Sequence, residues 1–193
     1  MAKEDVRNEL IESGLKLFSR SGYAATGVKD VVDETRVPKG SFYYYFDSKE
    51  AYAEEVVRKY SSKNAEARQR LLTDKSLPPL ARLRNYFERG IKVKSGRNYS
   101  GGCLLGNLTQ EVSDHSELVR TDLSNALGNW QRDIEAVLVE AAVSGELPAY
   151  LDPKATAAYI LNAWQGSILR MKAEKSARPL EMFVEMTFDH LLK

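Results

Sequence analysis

Leu123, Leu127, Trp130, Ile134, Val137 and Ala141 recur at alternating spacings of four and three residues. That is the period of one face of an α-helix, sustained for five turns, and no strand can bury such a set on one side. The same signal fills nearly the whole chain. Val6, Leu10, Ile11, Leu17 and Phe18 form a stripe over about Lys3 to Ser19 that stops at Ser21-Gly22, a glycine suited to a helix C-terminus. Thr26-Gly27 opens a short helix with Val28, Val31 and Val32 inward, Thr35-Arg36-Val37 forms a tight turn, and Pro38 suits the first turn of a third helix. Ser48 caps a longer helix to about Leu72, and Pro78-Pro79 opens another to about Val93. A glycine-containing break from Ser95 to Gly102 leads into Cys103 to Val112, and Gly145 ends the long helix of the opening stripe. Asp152-Pro153 starts a helix carrying Leu161, Trp164, Ile168 and Met171, and Pro179 opens a last one with Leu180, Val184, Thr187 and Leu191. The expected fold is all-α.

The stretch PKGSFYYYFDSKE, residues 38 to 50, sets three tyrosines between two phenylalanines. On a helix Phe42 and Phe46 share a face while Tyr43 and Tyr44 point away from it; a strand would alternate the rings, but no second strand-like run lies nearby to pair with it. A helix of about eight residues, a three-residue turn and a second short helix over residues 27 to 46 have helix-turn-helix proportions, in which the second helix enters the DNA major groove. With the phenylalanines inward, Lys39, Gly40, Tyr43 and Tyr44 face outward and Tyr45 lies at the flank. A tyrosine offers an apolar ring to a thymine methyl and a hydroxyl to a phosphate, glycine lets backbone approach backbone, and Lys39 and Lys49 suit phosphates or a guanine edge.

Charge supports this only through placement. The formal net charge is +1, and residues 1 to 64 hold 11 basic and 11 acidic side chains. The opening MAKEDVRNEL lacks the apolar core of a signal peptide, and no run of about 18 apolar residues offers a membrane span, so a cytoplasmic protein without membrane partners is expected. With one cysteine, Cys103, there is no internal disulfide and no multi-thiolate metal site, and neither metal nor cofactor is expected.

From Gly22 to Glu50, the dense pattern around TGVKDVVDETRVPKGSFYYYFDSKEAY closely resembles the DNA-binding motif of the tetracycline-repressor (TetR) family of bacterial transcriptional regulators. The resemblance covers nearly all of residues 4 to 64. It implies a three-helix DNA-binding domain at residues 1–47 and a helical ligand-binding and dimerisation domain at 48–193. It further implies a homodimer on palindromic, double-stranded operator DNA, joined through the last two helices and released by a small-molecule effector. Carried across by position, Lys29, Lys39, Gly40, Tyr43 and Tyr44 would face bases, and Thr26, Ser41, Tyr45 and Lys49 would hold phosphates. Two positions depart from the family pattern: Arg36 stands where glycine is usual in the turn, and Pro38 where serine or threonine usually caps the third helix.

SGGCLLGNLTQEV, residues 100 to 112, places Cys103 near a helix start, where backbone N–H groups favour a thiolate, with Lys94 and Arg97 close in sequence. An isolated cysteine is also a small buried hydrophobe in many folds. The pattern around GCLLGNL resembles a NemR-like branch of the family in which the matching cysteine senses electrophiles or oxidants, which implies a sensing role for Cys103. Tyr52, Tyr86, Cys103, Leu104, Trp130, Tyr159 and Trp164 are candidate walls of an effector pocket, though residues of these types are more often simply core. Apolar residues spread too widely around the helix at Ala157 to Trp164 for one neighbour, which fits either a central core helix or a dimer face.

Two rival classes bear on function. For an enzyme, His115 and His190 have no partner at metal-ligand spacing, GGCLLGN lacks the lysine and hydroxyl of a phosphate-binding loop, and Cys103 with His115 is only a formal nucleophile and base. A helical protein-interaction module would ignore duplex DNA, whereas phosphate-dominated binding weakens steeply with salt.

Overall fold

Glycine, proline and side-chain caps set most helix ends in the computed structural model, which describes residues 3–193. Among these residues there are nine α-helices and no strand: α1 (Lys3–Ser21), α2 (Val28–Thr35), α3 (Lys39–Tyr45), α4 (Lys49–Leu72), α5 (Pro79–Ser95), α6 (Leu104–Val112), α7 (Glu117–Val143), α8 (Pro153–Glu174) and α9 (Arg178–Glu185). Gly22 ends α1 with φ 86°, and Gly145 follows α7 with φ 76°, backbone that favours glycine. Ser48 Oγ accepts from Ala51 N–H at 3.1 Å, and the Asp152 side chain accepts from Ala155 N–H at 2.7 Å, satisfying first-turn donors of α4 and α8.

The last helix differs from the single α-helix expected after Pro179. Beyond Glu185 the chain widens into a π-helical segment, Met186–Leu191. Phe183 and Phe188, five residues apart, both reach Phe87, with ring centroids at 4.9 and 6.2 Å. A five-residue separation places side chains on one face of a π-turn but well apart on an α-helix, so the wider coil brings both rings to one neighbour.

The chain forms two compact units. The first comprises the residues up to Lys63 together with Cys103–Leu127, and the second comprises Asn64–Gly102 and Gly128–Lys193. The units divide inside α4 and α7, whereas the sequence-based boundary at 47/48 marks the end of the helix-turn-helix.

In the first unit α1 packs on α2 and α6, and α2 on α3. Leu10, Phe18, Val31, Phe42, Tyr52 and Val56 are buried at its centre. A side chain at Gly14 would meet α4, its Cβ lying 2.5 Å from Val56 Cγ2 and 2.8 Å from Tyr52 Cζ, so glycine is what lets the two helices approach.

In the second unit α8 packs on α9 and α5 on α9. Phe87, Trp164, Phe183 and Phe188 form one aromatic cluster, with Trp164 5.0 Å from Phe87 and 5.1 Å from Phe183. The guanidinium of Arg82 is buried; it donates to Leu72 O at the end of α4 at 2.8 Å and pairs with Glu140, which also holds Lys75 at 2.6 Å. Arg68 pairs with Asp133 at 2.7 Å.

Candidate nucleic-acid interface

The five consecutive rings divide as helical spacing requires. Phe42 and Phe46 are buried and stack at 5.3 Å; each also contacts Tyr52, at 5.1 and 5.0 Å. Tyr43 and Tyr44 are 52% and 64% exposed, and Tyr45 is half-buried with its ring edge-on to Tyr44. The apolar side of α3 is thus consumed by the core, and two phenols stand on the opposite side. Lys39 and Gly40 are exposed at the start of α3, Ser41 is half-buried, and Lys29 is exposed on α2. No atom lies within 4 Å of where a Cβ at Gly40 would sit, so the backbone there is open to a close approach.

The α2–α3 turn uses strained backbone. Arg36 adopts φ 56° and ψ 25°, left-handed geometry that costs a residue with a Cβ about 1 kcal/mol. Its N–H bonds to Val32 O, closing α2. Pro38 lies just before α3 rather than in its first turn: its φ of −56° and ψ of 140° lead into the helix, and its carbonyl accepts from Ser41 N–H at 2.8 Å.

Two of the expected phosphate ligands also make contacts within the fold. Thr26 is buried, and its hydroxyl donates to Gly22 O at 2.7 Å. Lys49 Nζ donates to Tyr23 O at 2.6 Å and sits 4.0 Å above the Tyr23 ring. Burial lowers the Lys49 pKa, against the pull of Glu50, Glu111 and Asp30. The Tyr23 hydroxyl donates to Glu50 at 3.2 Å; burial, then the Glu50 charge, push its pKa up to about 12.

Sequence reasoning missed Glu111. From α6 its carboxylate accepts from Ala24 N–H at 2.8 Å, in the loop that leads into α2. A Cβ on Gly22 would lie 2.6 Å from Glu111 Oε1, so glycine admits the carboxylate. The partners are 87 residues apart and share no local pattern; only Gly22, read as a helix stop, marked the place.

The regulatory candidates are divided between the two units. Tyr52, expected as a pocket wall, is a core residue of the first unit, its hydroxyl donating to Leu10 O at 2.6 Å and its pKa raised by burial. Cys103 and Leu104 are buried in that unit, Cys103 immediately preceding α6. In the second unit Tyr86 stacks edge-on with Phe87 at 5.0 Å, Trp164 is core, and Tyr159 is 61% exposed and so lines no interior wall of this chain. Trp130 is buried beneath the Arg68 guanidinium, 5.6 Å from its ring, and its indole N–H has no acceptor among the described residues. Lys94 Nζ is engaged by Gly102 O at 3.0 Å. An open groove of about 730 Å³ in the second unit is lined by residues such as Leu77, Arg82, Val139 and Val143, none of them a predicted wall. No group of three or more metal-binding side chains occurs among the described residues.

A short helix displaying tyrosine and lysine from a packed three-helix core, followed by a larger helical body, defines a helix-turn-helix DNA-binding regulator. The chain belongs to the tetR family of bacterial regulatory proteins. Residues 10–56 match the family's DNA-binding part, and residues 79–187 match the tetracyclin repressor-like C-terminal domain. The chain is 37% identical over 192 residues to the HTH-type transcriptional repressor DhaR of Mycobacterium sp. (strain GP1), covering 100% of this chain and 95% of DhaR. It is 36% identical to the transcriptional regulator AcuR of Cereibacter sphaeroides, covering 95% of this chain and 84% of AcuR. The crystal structure of reduced E. coli NemR superimposes with a TM-score of 0.90 at 26% identity, covering 96% of each chain.

Proposed function

We propose that this chain is a homodimeric repressor that grips a palindromic operator through Lys29, Lys39, Gly40, Tyr43 and Tyr44, with Ser41 and Tyr45 toward phosphates. The observation that carries the reading is the exposure of Tyr43 and Tyr44 opposite a core that buries Phe42 and Phe46, beside exposed Lys29 and Lys39. Repression is the activity named for DhaR. A twofold dimer presents two such faces to two half-sites. The dimer surface is the side of α8 and the chain's last turns that exposes Tyr159, Leu169, Met182 and Met186, apolar area that a second copy would cover.

Release follows from an effector that prefers the state with lower operator affinity. The buried indole N–H of Trp130 offers a small molecule one donor in the second unit. Modification of Cys103 is the other route. Because that thiol is buried, the start of α6 must open before a reagent reaches it. The residues act in the cytoplasm, where the operator is.

The test is fluorescence anisotropy with duplex DNA from upstream of the chain's own gene, at several salt concentrations, with and without a mild thiol oxidant. Binding that falls steeply with salt supports the DNA-binding face. Loss on oxidation, reversed by reductant and absent in Cys103→Ser, supports the thiol route, while indifference to oxidant leaves a non-covalent effector. Absence of binding to any upstream fragment would count against the operator reading.

A further inference from the structure

Arg36 is an anomaly with a direction. Its φ of 56° places a side chain where glycine would be unstrained, yet the turn needs nothing from that side chain. The hydrogen bond that closes α2 comes from the backbone N–H, which glycine would supply equally. The residue is exposed, and its guanidinium joins none of the ion pairs among the described residues, although Asp33 and Glu34 stand close by in sequence and are also exposed. Strain kept without an internal return points to an external partner. Lys29 lies on the preceding helix and Lys39 three residues on, both exposed, so the turn is flanked by cations on the elements that carry the DNA-facing residues.

We infer that Arg36 is a further DNA-binding residue, whose guanidinium clamps a backbone phosphate beside the recognition helix. The inference rests on the operator reading above. Arginine suits the role: its planar fork takes a phosphate through two N–H donors and keeps its charge at any working pH. The contact carries no base information. It fixes how α3 sits along the duplex and adds to the salt-dependent part of the affinity.

Three variants of the full chain separate this from a tolerated turn residue: Arg36→Gly, Arg36→Asn and Arg36→Lys, each measured for Tm and, by anisotropy, for binding of the upstream duplex across a potassium chloride series. Glycine and asparagine both accept left-handed backbone but carry no charge. Both should bind about fivefold more weakly and flatten the slope of log K against log salt by about one unit per protomer, as expected for one lost phosphate contact. Arg36→Gly should raise Tm by about 2–4 °C as the strain is relieved. Arg36→Lys should keep most of the slope. Wild-type slope and affinity in the glycine and asparagine variants would overturn the inference, and so would a lowered Tm at unchanged slope, which would assign the side chain to the turn itself. A wild-type chain that binds no duplex with salt sensitivity overturns the operator reading and takes this inference with it.

Discussion

Tyr44 and Tyr52 carry the same phenol to opposite ends of the solvent scale, 64% against 1% exposed, and their substitutions should behave as opposites. Tyr44→Ala and Lys39→Ala should leave the unfolding free energy within about 0.5 kcal/mol of wild type while weakening operator binding, since exposed side chains away from the core contribute little to folding. Equal operator affinity in both variants would remove that face from the interface. Tyr52→Phe removes the donor to Leu10 O and should cost about 1 kcal/mol by urea titration with DNA contacts untouched. Tyr23 gives an alkaline signature. Its folded pKa of about 12 lies above the ordinary 10.0, so its contribution to stability is complete below about pH 10 and is lost as pH rises toward 12. Tyr23→Phe should flatten that alkaline limb in a series of melts. Of these residues, the two outward tyrosines and Lys39 were legible in the sequence because helical spacing alone separates them from Phe42 and Phe46. Tyr52 and Lys49 were not, because their contacts are with Leu10 and Tyr23, which no local period connects to them.

Among the elements, α1 and α4 meet where Gly14 leaves room for Tyr52 and Val56, and the approach has a measurable cost when blocked. Gly14→Ala adds the methyl between them and should destabilise the chain by about 1–3 kcal/mol in urea titration, outweighing the gain in helix propensity. A neutral or stabilising result would show that α4 can retreat. The ends of the elements were largely readable: Ser48 and Asp152 cap as their chemistry dictates, and Gly22 and Gly145 take positive φ. The π-helical close of the chain was not, because the sequence after Pro179 has an ordinary helical stripe and the widening answers to Phe87 on another helix. Glu111 on α6 belongs with it: a glutamate on a helix surface carries no mark of the backbone N–H it will hold.

For the whole molecule the decisive prediction concerns the second copy. Tyr159→Asp combined with Leu169→Asp puts charge on the exposed apolar side of α8 and should halve the mass seen by sedimentation while the helical circular dichroism is kept. The operator affinity should fall with it, since two half-sites then bind independently. An unchanged mass would move the dimer surface elsewhere. Acid stability is a second global property. Glu140 is held below the usual carboxylate range by hydrogen bonds from Lys75 and Arg82, and Asp189 by those from Arg84. Their contributions are present above the ordinary carboxylate pKa and are lost as pH falls through the depressed values, so Glu140→Gln should flatten the acid limb.

By itself the sequence determined the all-helical class, the order of the helices, most of their caps, and the face that α3 turns outward. These follow from interactions within a few residues, where spacing, capping chemistry and the hydrophobic period act directly on the chain. Tertiary structure alone decided that Tyr52 holds the core of the first unit, that Tyr159 lies on the surface of this chain, that Lys49 binds a backbone carbonyl, and that Glu111 steadies the loop before α2. Most of these join groups tens of residues apart, and a carboxylate, phenol or ammonium looks the same in sequence whether it will meet water, a backbone group or DNA.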